Sequence, residues 1–232
     1  MAHPQDRGRR IAGLIATLAC ASTLLVLLSR ATLPQIPSPD QQLTVFGRDQ
    51  NAYLLFAIAN VLFGIFFTAF AAGFARFVQP KSPSIASAAA FLTAGSALVG
   101  AIFRVFYVDS LFSILDCPST PTYSADATYL AAVAANFIDH VALVTDLVGA
   151  VGLLLFGWLV WKSGPFPNWL AYLLLAGGTF GILAQLMAIY GSGASIFLLL
   201  FRVLLAAWAL ASGVSLLLGK SKTARTPSVD SS

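Results

Sequence analysis

Glutamate is missing altogether: all nine acids of this 232-residue chain are Asp. The Glu–Lys pairs that line water-facing helices are therefore unavailable. Charge of either sign is scarce, at 9% of residues, where a soluble domain carries about a quarter. A chain with 58% hydrophobic residues and a mean hydropathy of +0.84 belongs to the membrane class. Cysteine is limited to Cys20, midway along the first apolar run, and Cys117, in a loop, so no disulfide is expected. Histidine is limited to His3 and His140, which excludes metal-ligand spacing and bis-histidine haem ligation. Neither a G-x-S-x-G elbow nor an H-E-x-x-H helix occurs. No catalytic residue, metal ligand or cofactor is assigned, and the chain is not expected to be an enzyme. The net charge of +4 does not imply a nucleic-acid partner, because the basic residues stand at the edges of apolar runs rather than in one patch.

What is present is a series of long apolar runs. A bilayer core is about 30 Å thick and needs about 20 helical residues to cross. Six runs qualify: 11–29, 53–78, 84–108, 129–161, 169–190 and 195–218. The first is too long for the apolar region of a cleaved signal peptide and lacks a clean small-residue cleavage site after it, so an uncleaved span is expected. Residues 1–10 form a short basic tail, and 219–232 a polar tail expected to be disordered. The intervening segments 30–51 and 109–128 read as loops, the former broken by Pro34, Pro37 and Pro39. The expected fold is an all-α integral membrane bundle of six helices in a single domain.

Charge in the loops orients the bundle. Nine Lys and Arg residues fall on the side of the two termini, while Arg30 and Arg48 fall on the other. The positive-inside rule then places both termini in the cytoplasm. Trp158, Trp161 and Trp169 fall at the same inner edge, where amphipathic rings prefer to sit.

Charges inside spans are expensive and usually face a bundle interior or a wet cavity. Asp146 stands 15 residues before Trp161, about 22 Å along a helix, and so lies in the outer half. Arg104, Arg202, Asp139 and His140 also map toward that leaflet. Asp139 and Asp146 are seven residues apart and share a helix face. Asn136 and Gln185 are further polar candidates at similar depth. The expected site is an outward-facing polar pocket formed by Arg104, Asn136, Asp139, His140, Asp146, Gln185 and Arg202, handling or sensing a small polar solute or ion. In the alternative, two Asp–Arg pairs merely staple the third, fourth and sixth spans of a membrane subunit or scaffold. Such a protein would pack small-residue faces against a membrane partner or a second copy. The echo of Phe103-Arg104-Val105 in Phe201-Arg202-Val203 is not a sign of an inverted repeat, since both would lie at the outer level.

Three stretches carry a family resemblance: FAIANVLFGIFFTAFAAGFARFVQP (56–80), AIFRVF (101–106) and FGWLVWKSGPFPNWLAYLLLAGG (156–178). Together they resemble an uncharacterised bacterial family of six-span membrane proteins known only as a domain of unknown function. The likeness spans most of residues 11–215. It implies the six-span fold and places Arg104 where the family's third span often carries Arg. Family members often hold an Asp early in the fourth span and a His about two turns later. Here Asp146 lies roughly one turn from that position, and the later His is missing. The resemblance implies no activity, substrate or cofactor.

Overall fold

The computed structural model describes residues 4–34, 41–115, 125–163, 166–190 and 194–218. Asp116, Cys117, the 191–193 hairpin and the C-terminal tail lie outside the described residues. Every regular element among the described residues is helical: seven α-helices, α1 (Pro4–Thr32), α2 (Gln42–Arg48), α3 (Gln50–Val78), α4 (Pro83–Leu115), α5 (Ala125–Ser163), α6 (Asn168–Ile189) and α7 (Ala194–Leu217), and a 3-10 turn, Gln79–Lys81, between α3 and α4. Six of the seven are long and apolar enough to cross a bilayer, and only α2 is not. The protein is a multi-pass helical membrane protein.

The spans close into a ring in the order α1, α3, α4, α5, α6, α7 and back to α1. Glycine permits the close approaches on which that ring depends. A Cβ on Gly64 of α3 would lie 2.7 Å from Ala101 Cβ of α4, and one on Gly181 of α6 would lie 2.7 Å from Ala150 Cβ of α5. A Cβ on Gly152 of α5 would collide with the Thr93 hydroxyl and sit 2.9 Å from its backbone nitrogen. The small residues of α4, among them Ala89, Ala97 and Gly100, are thus buried against neighbouring spans. Hydroxyls within spans are satisfied locally: Thr23 Oγ1 donates to Ala19 O at 2.7 Å, and Ser29 Oγ to Val26 O at 3.0 Å. Thr68 Oγ1 reaches across to Ala94 O at 3.2 Å and ties α3 to α4.

The ring has two unlike halves. On the side of the termini its axis is filled by aromatic rings. Phe63, Phe67, Phe70 and Phe74 recur along one face of α3 and meet Phe156, Phe166 and Trp208 with ring centroids 4.6–5.8 Å apart. The opposite half holds the buried charges.

Two loop readings are corrected. Segment 30–51 is not wholly loop: α1 continues to Thr32, α2 occupies 42–48, and α3 begins at Gln50. Segment 109–128 likewise yields its ends to α4 and α5. The physical reason is a second apolar cluster beyond the spans, in which Leu43 and Phe46 of α2 pack on Tyr53, Val108, Leu111 and Ala131. Burying Leu43 and Phe46 rewards helical extension past the end of each hydrophobic run, and α2 caps the α3–α4–α5 side of the bundle.

Candidate functional site

The centre of the site is an ion pair between neighbouring turns of α5 and α7. Arg202 Nη2 donates to Asp146 Oδ1 at 2.5 Å, and both side chains are about nine-tenths buried. The Arg202 guanidinium also sits 5.7 Å from the Phe63 ring centroid and 5.6 Å from that of Phe201, a cation–π arrangement that partly replaces its lost water.

Arg104 enters from α4. Its relative exposure is 8%, so it does not reach out to headgroups. Helical side chains lean toward the N-terminus of their helix, and Arg104 folds back along its own helix. A Cβ on Gly100 would lie 2.7 Å from Arg104 Nη1 and 3.4 Å from Thr145 Oγ1. Gly100 therefore supplies the space that this guanidinium uses. Arg104 forms no ion pair among the described residues.

Two cavities adjoin these groups. The inner one, about 20 Å³, lies between Thr93, Ser96, Arg104, Asp146, Gly149 and Arg202, which is room for about one water. The Thr93 hydroxyl is buried and has no hydrogen-bond partner, so it could hold such a water. The outer cavity, about 260 Å³, is bounded by α1, α3, α4 and α7 and reaches Arg30, Arg104, Arg202 and Ser195, with Val26 and Phe56 among its apolar walls. Three guanidiniums thus border the outer cavity, those of Arg104 and Arg202 buried and that of Arg30 exposed, while Asp146, on the inner cavity, is the one buried carboxylate among the described residues.

The predicted residues separate into two groups. Arg104, Asp146 and Arg202 converge. Asn136, Asp139 and His140 are exposed and line neither cavity. His140 Nδ1 is 2.7 Å from Asn136 O, one turn back on its own helix. Sharing a face with Asp146 does not bury Asp139, because α6 ends at Ile189 and α7 starts at Ala194. Asp146 is level with Arg202, so Asp139, seven residues higher, is level with Ser195. There the covering helices stop. Asp139 lies close enough to Arg30 to be felt electrostatically without contact. Gln185 is buried on α6 and lines neither cavity.

Arg30 is the residue that sequence reasoning assigned elsewhere, as a loop charge. Its signal was present: it stands one turn after Val26 at the end of the first apolar run. Cys20 is buried and free. No group of three or more His, Cys, Asp or Glu side chains that could hold a metal occurs among the described residues.

A ring of six spans around a buried Arg–Asp pair and an arginine-lined cavity defines the class: a helical multi-pass membrane protein. The chain belongs to the family described as "Domain of unknown function (DUF4386)", whose model matches residues 11–219. No curated protein and no solved structure matches the chain.

Proposed function

We propose that this protein binds a small anionic solute in the outer cavity and senses or handles it from the face opposite the termini. The observation that carries this reading is the charge count around the cavity. Arg30, Arg104 and Arg202 border it, and Asp146 pairs with Arg202 alone. A guanidinium buried without a counter-charge is costly in a low-dielectric interior. An incoming carboxylate, sulfate or phosphate would supply that charge with bidentate geometry. The aromatic half of the ring supports binding rather than an open pore, since Phe67, Phe70 and Trp208 occupy the axis beneath the site. We also propose a bacterial cytoplasmic membrane with both termini inside, supported by the loop-charge bias.

The test is thermal unfolding of the detergent-solubilised protein with phosphate, sulfate or short carboxylates against chloride. Ligand at 100 times its Kd stabilises by about 2.7 kcal/mol. The expected result is an upward Tm shift with at least one of these anions, lost in Arg104→Gln and in Arg30→Gln. A shift that survives in the double variant, or no shift with any anion, overturns the reading.

A second reading is a non-catalytic membrane subunit or scaffold in which the Arg–Asp pair is structural. The burial of Asp146 and Arg202, with space for about one water beside them, favours it. That reading leaves Tm indifferent to anions and requires a protein partner or a second copy.

A further inference from the structure

A second basic cavity lies at the other end of α1. It is a groove of about 680 Å³ between α1 and α3, on the side where both termini emerge. That volume falls within the range of small-molecule sites, about 300–1,000 Å³. Gly8 and Gly73 border its open space: a Cβ on either would meet nothing within 4 Å. The floor is apolar, with Ile11, Ile15, Phe70, Phe74 and Phe77 along it. The rim carries Arg9 and Arg76. Arg9 Nη2 is buried with no hydrogen-bond partner, and neither arginine forms an ion pair among the described residues.

This combination has one chemical complement at that depth. α1 begins and α3 ends there, so Arg9 and Arg76 stand at the level where an apolar span gives way to headgroups. A free phosphate would satisfy the guanidiniums and leave the apolar floor unused. A lipid without phosphate would fill the floor and leave the buried Nη2 unpartnered, and a phosphatidylcholine would bring its choline cation against a rim that already holds two arginines. A single molecule with a phosphodiester above an acyl chain and no headgroup cation does both and leaves a net negative charge for the two arginines, and basic pockets between spans are known to take anionic headgroups. We infer that the α1–α3 groove is a binding site for an anionic phospholipid of the termini-side leaflet. Its phosphodiester bridges Arg9 and Arg76, and one chain lies over Phe70, Phe74 and Phe77. This site is independent of the three-arginine cavity and uses none of its residues.

The experiment is native mass spectrometry of the full chain, equilibrated in mild detergent with equal amounts of phosphatidylglycerol and phosphatidylcholine of the same chain length. The expected result is one retained phosphatidylglycerol per chain in preference to phosphatidylcholine. Each arginine near the surface contributes about fivefold in affinity, so Arg9→Gln with Arg76→Gln lowers retention by roughly 25-fold. Gly73→Phe keeps both arginines, projects into open space and lowers retention by occupying the groove. Arg104→Gln leaves retention unchanged, which separates this site from the outer cavity. Equal retention of the two lipids, or retention unaffected by loss of both arginines, overturns the proposal. So does a Gly73→Phe protein that binds normally, because the arginines would then act as bare surface charge. Displacement of the lipid by millimolar inorganic phosphate also overturns it, in favour of a free-anion site.

Discussion

Helix α7 holds both halves of the ring. Arg202 meets Asp146 on one turn, and Trp208 enters the phenylalanine stack six residues later, about 9 Å along the axis. The two regions are stabilised by different physics. Lipid is as apolar as the phenylalanine stack, so burying those rings from lipid contributes little hydrophobic drive and their stabilisation comes from close packing. The ion pair is the reverse case: its charges have no acceptable alternative in lipid, so their mutual contact ties α5 to α7 across the ring although the two are not adjacent spans. The same chain therefore uses shape in one half and charge in the other.

Breaking the charged half should have the largest effect. Asp146→Ala leaves Arg202 buried without its partner beside Arg104, and loss of one member of a buried pair costs about 3–5 kcal/mol. Reversible unfolding in mixed micelles would measure it. The double variant Asp146→Leu with Arg202→Met removes both charges and should recover most of the loss, since replacing a buried pair with apolar residues is often close to neutral. Recovery of less than half would assign the stabilisation to something other than the pair. Trp208→Ala tests the other half. In a soluble core it would cost about 3–5 kcal/mol. Without the transfer from water the packing loss remains, about 2 kcal/mol by the same measure. An effect equal to that of Asp146→Ala would erase the contrast between the halves.

Gly152→Ala comes next. The added methyl would sit 2.9 Å from the Thr93 backbone nitrogen and 3.1 Å from Ala89 O. Backbone cannot step aside as a side chain does, so α4 and α5 must separate. Overpacking of this kind costs about 1–3 kcal/mol, and the same unfolding assay should register it without loss of the Arg202–Asp146 contact.

Most of the architecture was legible in the sequence, because hydropathy over about 20 residues is a strong signal when lipid forbids unsatisfied backbone. The phenylalanine stack was not read from the sequence, although Phe63, Phe67, Phe70 and Phe74 follow a 4-3-4 spacing that marks one helix face. The site was legible only in part. Asp146, Arg104 and Arg202 announce themselves as charges inside apolar runs. Arg30 does not, since an arginine at the end of a run reads equally well as the first residue of a loop. Asn136, Asp139 and His140 stand outside both cavities for a different reason. Their burial depends on how high α6 and α7 reach, and a helix's own sequence does not report where its neighbours end. α2 escaped notice because its apolar residues, Leu43, Val45 and Phe46, make a run too short to read as a span, and the burial of Leu43 and Phe46 depends on Val108 and Leu111 some 65 residues away.

The smallest structural change should separate stability from binding. In Gly100→Ala the new methyl would lie 2.7 Å from Arg104 Nη1, the mobile end of a long side chain rather than backbone. The guanidinium can therefore move, and alanine has the better helix propensity by about 1 kcal/mol. Stability should change by less than about 1 kcal/mol. The displaced guanidinium would no longer lie along α4 beside Thr145, so the anion-induced Tm shift should fall well below that of the unaltered chain. Gly149→Ala is the matched control: its methyl would meet the Ser96 hydroxyl at 2.6 Å and leave Arg104 in place. If both variants lost the anion response equally, the loss would reflect general disturbance of the α4–α5 contact. If Gly100→Ala kept the full response, the position of Arg104 above Gly100 would be irrelevant to binding, and the anion would be held without the guanidinium lying along α4.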